Sequence, residues 1–194
     1  MSNLFQKLEL EAFRAGITPR TQESRTWFRR KAQQLRRVNR RELMREEEIE
    51  LRNRFMPGKM YMFFYDPKTK DKLPYYDGFP LVIPVERAEG GFYGLNIHYL
   101  PPVLRAKFLD GLMDITTNQK YDETTRFRVA YERLKSVRKL RFFKPCYKRY
   151  LSAHVKSRFA YVSPTEWEIA TFLPTADWRK SNAGNVYKDS RGMI

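Results

Sequence analysis

Apolar and polar positions give the chain three textures. From 1 to 54 apolar residues are sparse and helically spaced: Leu4, Leu8 and Ala12 fall at i, i+4 before Gly16-Ile-Thr-Pro19 interrupts them. Thr18 or Thr21 starts the next helix, and no Pro or Gly follows until Pro57, which predicts helix from 21 to 54. Its apolar stripe of Trp27, Phe28, Leu35, Val38, Leu43, Ile49 and Leu51 is too thin to fold alone. The segment therefore reads as a charged arm that leans on a partner. Deleting it is expected to leave a folded core from Lys59 onward.

Past Pro57-Gly58 the texture becomes that of strands. Lys59–Tyr65 is a dense aromatic run, Asp66–Asp71 a turn, and Phe79–Val85 a second apolar run. Pro80 and Pro84 cannot donate to a ladder, so the second strand is predicted at an edge or bulged. Glu89-Gly-Gly91 turns the chain into Phe92–Leu100, which alternates with period two.

The third texture is helical again. Pro101-Pro102 opens a helix carrying Val103, Leu104, Phe108, Leu109 and Leu112. Phe127, Ala130, Tyr131, Leu134 and Val137 give the chain's strongest amphipathic pattern. Pro145 is read as opening a further helix with Tyr147, Tyr150, Leu151 and Val155, and Trp167, Ile169 and Phe172 as packing back on the domain. Residues 176–194 have little periodicity and read as a tail. The expected fold is α+β: a small curled antiparallel sheet (partial barrel) followed by a helical subdomain, with an Arg-rich N-terminal helical arm. The corresponding divisions are an arm over 1–56, a core over 57–175 (sheet 57–100, helices 101–175) and a tail over 176–194.

Charge changes this picture because it is uneven. The 194 residues carry 38 Lys+Arg against 22 Asp+Glu, a net of +16. By segment the net is +6 over 1–54, −1 over 55–125, +11 over 126–158 and zero thereafter. Clustered like charge calls for a polyanionic partner, and nucleic acid is the expected one. The DNA-binding candidates are Arg29, Arg30, Arg36, Arg37 and Arg40 on the arm, then Arg126, Arg128, Arg133, Arg138, Lys139, Arg141, Lys144, Lys148, Arg149, Lys156 and Arg158. Phe142 and Phe143, set between Arg141 and Lys144, are candidates to stack on unpaired bases. No base-reading motif is present, so binding is expected to be sequence-independent and salt-sensitive.

Catalytic chemistry is poorly supplied. The single Cys146 excludes an internal disulfide and a thiolate zinc cage, and two histidines exclude a His-rich metal site. Cys146 follows Pro145 at an expected helix N-terminus, which would lower its pKa, but His154 lies two turns away and makes an awkward dyad. His154 and Arg158 lack the partners of a phosphodiester-cleaving tyrosine enzyme. Asp66, Asp71, Asp77 and Glu86 offer carboxylates for a metal-dependent nuclease, but Arg87-Ala88 follow Glu86 where a lysine would be wanted. No cofactor is expected. The N-terminus has no secretory pattern and no apolar run approaches the roughly 20 residues of a membrane span, which points to a soluble protein of a reducing compartment, or of something assembled in one.

Three phrases carry a family resemblance. They are Gly58-Lys-Met-Tyr-Met-Phe-Phe-Tyr-Asp-Pro-Lys-Thr-Lys-Asp-Lys-Leu-Pro-Tyr-Tyr-Asp77 with Phe79-Pro-Leu-Val, Gly91-Phe-Tyr-Gly-Leu-Asn-Ile-His-Tyr-Leu-Pro101, and Phe143-Lys-Pro-Cys-Tyr-Lys-Arg-Tyr150. Together the stretch from Gly58 to about Arg158 resembles the DNA end protector proteins of large contractile-tailed bacteriophages. The resemblance implies a minor virion protein, carried in the head and injected with the genome. It also implies that the protein holds double-stranded DNA ends and blocks the host's ATP-dependent exonuclease-helicase in the cytoplasm, with no catalytic residues. The alternative reading is a structural head-completion, neck or baseplate component whose basic arm touches other virion proteins or DNA.

Overall fold

The structure, a computed structural model, describes residues 4–35, 38–46, 49–116, 120, 122, 132 and 141–194. Its centre is an antiparallel sheet of order β1-β7-β2-β4-β5-β6, formed by β1 (Leu51–Arg52), β2 (Met60–Met62), β4 (Leu81–Ala88), β5 (Gly91–Asn96), β6 (Tyr147–Leu151) and β7 (Phe159–Val162). A separate pair joins β3 (Tyr76–Asp77) to β8 (Trp178–Arg179).

Strand alternation sends side chains to two cores. Met60, Met62, Leu81, Ile83, Val85, Leu95 and Val162 point to the large core under the helices. Tyr61, Phe63, Val82, Phe92, Tyr150 and Phe159 point to the opposite face and form a small aromatic core of their own. Phe92 stacks on Tyr150 with ring centroids 5.3 Å apart, and Phe63 meets both Tyr150 and Phe159 edge-on. Tyr65 bridges Val155, and its hydroxyl accepts from the Leu151 amide at 3.1 Å. The sheet is not closed: β1 and β6 remain edges, with no pairing between them among the described residues.

One prediction about this sheet needs correction. It is not confined to 57–100, because β6 and β7 come from the region expected to be helical. Tyr147 and Tyr150 match a helical i, i+3 pair, but β6 instead alternates. Tyr150 enters the aromatic core while Tyr147 stacks on Tyr93 across the other face, with centroids 5.2 Å apart. Aromatic residues fit a pleated, half-buried surface, and tertiary packing decides between the two periods. The strand expected at an edge or bulged is the latter: β4 lies between β2 and β5, and its register slips between Pro84 and Glu86.

Helices α1 (Leu4–Arg14), α2 (Gln22–Gln34), α3 (Arg40–Leu43), α4 (Pro102–Thr116) and α5 (Trp167–Phe172) cover the large core. Gly16, at φ +71°, ends α1 in the left-handed conformation that glycine adopts without strain. A capping box between Thr21 and Ser24 starts α2. The unbroken helix expected to 54 does not form. Leu35 turns extended at the end of α2, Asn39 caps the new start at α3, and β1 follows.

The N-terminal segment is no free arm. Phe5, Leu8, Ala12, Phe28, Ala32, Val38 and Leu43 are buried in the same core as the sheet, and α2 packs against α5. The thin stripe is sufficient because it is covered by the chain's own C-terminal third.

The presumed tail is structured too. It supplies β8 and α6 (Ala183–Met193), the latter capped by Asn182 and anchored by fully buried Val186. Buried Arg105 on α4 ties these parts together. Its guanidinium donates to the carbonyls of Leu100 (2.6 Å), Thr171 (2.9 Å) and His98 (3.0 Å) and to the Tyr187 hydroxyl (2.6 Å). No described helix is long and apolar enough to cross a membrane.

Candidate nucleic-acid interface

The predicted DNA-binding residues fall into three groups. Arg36, Arg37, Arg126, Arg128, Arg133, Arg138 and Lys139 lie outside the described residues, as does most of the amphipathic pattern from 127 to 137. Arg29, Arg30, Arg141, Lys144, Arg149, Lys156 and Arg158 are at least partly exposed, on α2, on the turn before β6, on β6 and on the segment entering β7. Among these, Arg149 donates to the Glu89 carbonyl at 3.0 Å and Arg141 to the Met193 carbonyl at 3.3 Å, both from exposed positions.

The remaining four are committed to the fold. Arg40 donates to the Thr175 carbonyl at 2.7 Å and to the Ala176 carbonyl, and its guanidinium faces Asp177. Lys148 lays its ammonium 4.1 Å from the centre of the Tyr99 ring, and burial lowers its pKa. Phe143 is buried against Phe108, with centroids 5.2 Å apart, and Phe142 packs edge-on against Phe143. Phe143 thereby presents little of its ring to a base in this conformation.

The residues proposed for catalysis are likewise occupied. Cys146 follows a 3-10 turn at the entrance to β6 rather than a helix start, and burial pushes its thiol up to about 12. A depressed thiol pKa is therefore corrected to a raised one. Asp77 is buried and receives the Phe79 amide (3.0 Å), the Asp177 amide (2.9 Å), Asn96 Nδ2 (3.1 Å) and His98 Nδ1 (2.6 Å). Burial opposes its ionisation, but His98 and these donors outweigh it and hold Asp77 below the usual carboxylate range. Burial also lowers His98, with Asp77 only partly compensating. A neutral ring thus donates from Nδ1 to Asp77 and accepts at Nε2 from the Thr175 hydroxyl, 3.1 Å away.

Asp77, His98 and Thr175 thus form a hydroxyl–imidazole–carboxylate chain, and all three are buried. Their hydrogen bonds hold β3, the end of β5 and the approach to β8 together. Glu86 accepts from the Tyr147 hydroxyl at 2.6 Å, and Asp66 pairs with Lys70 at 3.0 Å. Among the described residues no cluster of three or more His, Cys, Asp or Glu is placed to hold a metal ion.

A different pair of cations is presented to solvent in a cleft that the sequence did not single out. The loop from Asn53 to Gly58 is pinned over the small aromatic core. The Met56 amide donates to the Tyr61 hydroxyl at 3.0 Å, and the Gly58 amide donates to the Pro84 carbonyl at 2.8 Å. Phe55 of this loop lies on Phe92, with centroids 4.3 Å apart. Between the loop and the β4–β5 hairpin opens a cleft of about 480 Å³, lined by Arg54, Phe55, Arg87, Ser152 and Phe159 among others, with no acidic residue in its lining. Arg54 and Arg87 are both exposed, and neither forms an ion pair among the described residues.

The bulge in β4 is what aims Arg87 here. Before it, Ile83 faces the large core and Val82 the aromatic core; after the extra residue Val85, Glu86 pairs with Tyr93 and Arg87 with Phe92. Unbulged alternation from Ile83 would have turned Arg87 to the helical face. Pro84 was the visible signal for the bulge, but its effect on Arg87 depended on a register that only the paired strand reveals.

Comparison with known proteins bears on these features. A family model described as Phage T4 terminal DNA protecting protein matches residues 6–190. No curated protein and no solved structure matches the chain.

Proposed function

We propose, from the premise that the chain belongs to the phage T4 terminal DNA protecting protein family, that it binds the ends of linear double-stranded DNA without sequence specificity. Bound there, it shields them from host exonuclease. The observation that carries this reading is the family match across nearly the whole chain, from 6 to 190. The physical support is independent of it. A net charge of +16 favours a polyanion through counterion release, a term blind to sequence.

Protection by occlusion requires no bond to be broken. A protein seated on a terminus competes with an exonuclease for the same few base pairs, and its protective power follows its residence time there. The exposed cations on the turn before β6, on β6 and on the segment entering β7 would hold the phosphate backbone together with the basic stretch from 126 to 139. The protein would travel in the virion and act in the host cytoplasm, with the exonuclease-helicase and other virion proteins as further partners.

The deciding experiment is digestion of linear DNA and of the same duplex closed by hairpins, by an exonuclease, with increasing protein. The closed duplex has no end to attack and survives by itself, and the open-ended one is expected to become equally resistant as protein is added. Equal binding to open and closed duplexes, without protection of ends, would favour the structural-component reading instead.

A further inference from the structure

We infer that the cleft between the Asn53–Gly58 loop and the β4–β5 hairpin seats one unpaired nucleotide at a DNA strand terminus, with its phosphate between Arg54 and Arg87 and its base on Phe55. This rests on the end-binding reading and says which part of the terminus is recognised. Three properties of the cleft converge on a nucleotide. Its volume of about 480 Å³ lies within the roughly 300–1,000 Å³ of small-ligand sites. Two exposed arginines without acidic partners lie in its lining, and guanidinium groups match phosphate oxygens in a two-pronged geometry. Phe55 is half-buried in the same lining and supported from below by Phe92, which gives a base a rigid apolar surface to lie on.

A larger cleft, between α3 and β3, makes a useful contrast. Its lining includes Asp66 and Asp177, which already neutralise Lys70, Arg40 and Arg179. A phosphate entering there meets carboxylates. The cleft at Arg54 and Arg87 presents positive charge alone beside aromatic carbon, the combination by which proteins hold single strands irrespective of sequence. A base inside a duplex is stacked on both faces, and the last pair of a blunt end offers only its outer face while held in register with its partner; an unpaired terminal residue is free to turn into the cleft, with its phosphate at the arginines and its base on Phe55.

The test uses the full-length protein and three duplexes: a dumbbell closed at both ends, a hairpin with one blunt end, and the same hairpin with a short single-stranded extension ending in 2-aminopurine. Wild type is expected to bind the extended end about tenfold tighter than the blunt one, within the range that stacking of one base supplies, and to quench the 2-aminopurine. Arg54→Gln with Arg87→Gln is expected to remove the preference while leaving blunt-end affinity within about twofold. Phe55→Leu is expected to remove the quench while keeping both arginines, with thermal melts checking that the aromatic core survives.

Retention of both the preference and the quench in these variants would overturn the assignment. Equal affinity for a free deoxynucleoside monophosphate would also overturn it, making the cleft a free-nucleotide site. Dumbbell binding as tight as open-end binding would instead overturn the end-binding reading beneath it.

Discussion

Ser24 and Glu168, 144 positions apart, share a buried hydrogen bond of 2.8 Å from the Ser24 hydroxyl to Oε2 of the carboxyl group. The same Ser24 closes the capping box of α2, so one side chain both starts a helix and docks it on α5. Arg25 adds ion pairs to Glu168 at 3.5 Å and to Asp110 on α4. Replacing Ser24 with Ala leaves the Glu168 carboxyl short of a donor in the interior. A loss of about 1–3 kcal/mol is expected, measured by urea unfolding, and a Glu168→Gln partner variant in a double-mutant cycle would show the coupling.

Removal of residues 1–54 is expected to give an insoluble or molten chain. The deletion strips Phe5, Phe28 and Leu43 from the core, exposes the apolar side of α5, and removes β1 from the edge of β7. A sharp, cooperative melt of the truncated protein would contradict this.

Acid should destabilise the fold before ordinary carboxylates titrate. His98 has a folded pKa below its free value of 6.5, so the unfolded chain binds the extra proton and stability falls as pH drops below that value. Asp77, also lowered, contributes stability above 3.8 that is lost at still lower pH. Thermal melts between pH 7.5 and 5 are expected to show a falling Tm in wild type. His98→Gln should have a lower but flatter profile over the same range.

Cys146 should resist alkylation in the native protein. Its thiol is buried and held up to about 12, so the thiolate is scarce and unreachable. Iodoacetamide labelling at pH 8, followed by mass measurement, is expected to proceed only through unfolding and to accelerate sharply in denaturant.

Charge reversal at Arg138, Lys139, Arg141 and Lys144 is expected to abolish protection of linear DNA while leaving the melt unchanged. The dependence of affinity on salt should also become shallower, because fewer counterions are released. Protection at the wild-type level would remove this stretch from the interface.

Legibility in the sequence varied with how local the signal was. The strand at Met60–Met62, the hairpin at Gly90, the helix opened by Pro102 and the bulge near Pro84 all follow from neighbouring residues, and each was readable. The misread pieces were decided by distant partners. Tyr147–Leu151 became a strand because β5 was there to pair with it, and Ala183–Met193 became an anchored helix because Arg105 reaches Tyr187. At the candidate interface, charge density marked the basic stretches, but it did not separate Lys148, folded over Tyr99, from Arg149 beside it, which stays exposed. Nor did it find Arg54 and Arg87, since a pair of isolated arginines has no density and gains meaning only when a bulge and a pinned loop bring them to one cleft.

The long reach from β2 to β7 has a consequence for biosynthesis. β2 lies between β4 and β7, and β7 arrives about a hundred residues later in the chain. While the nascent polypeptide is still emerging from the ribosome, Tyr61 and Phe63 have no Phe159 to meet, and α2 waits longer still for Glu168. Non-local pairing of this kind is slow and leaves apolar edges uncovered in the interval. The sheet therefore cannot be completed until β7 has been made, and chains truncated before residue 162 are expected to aggregate.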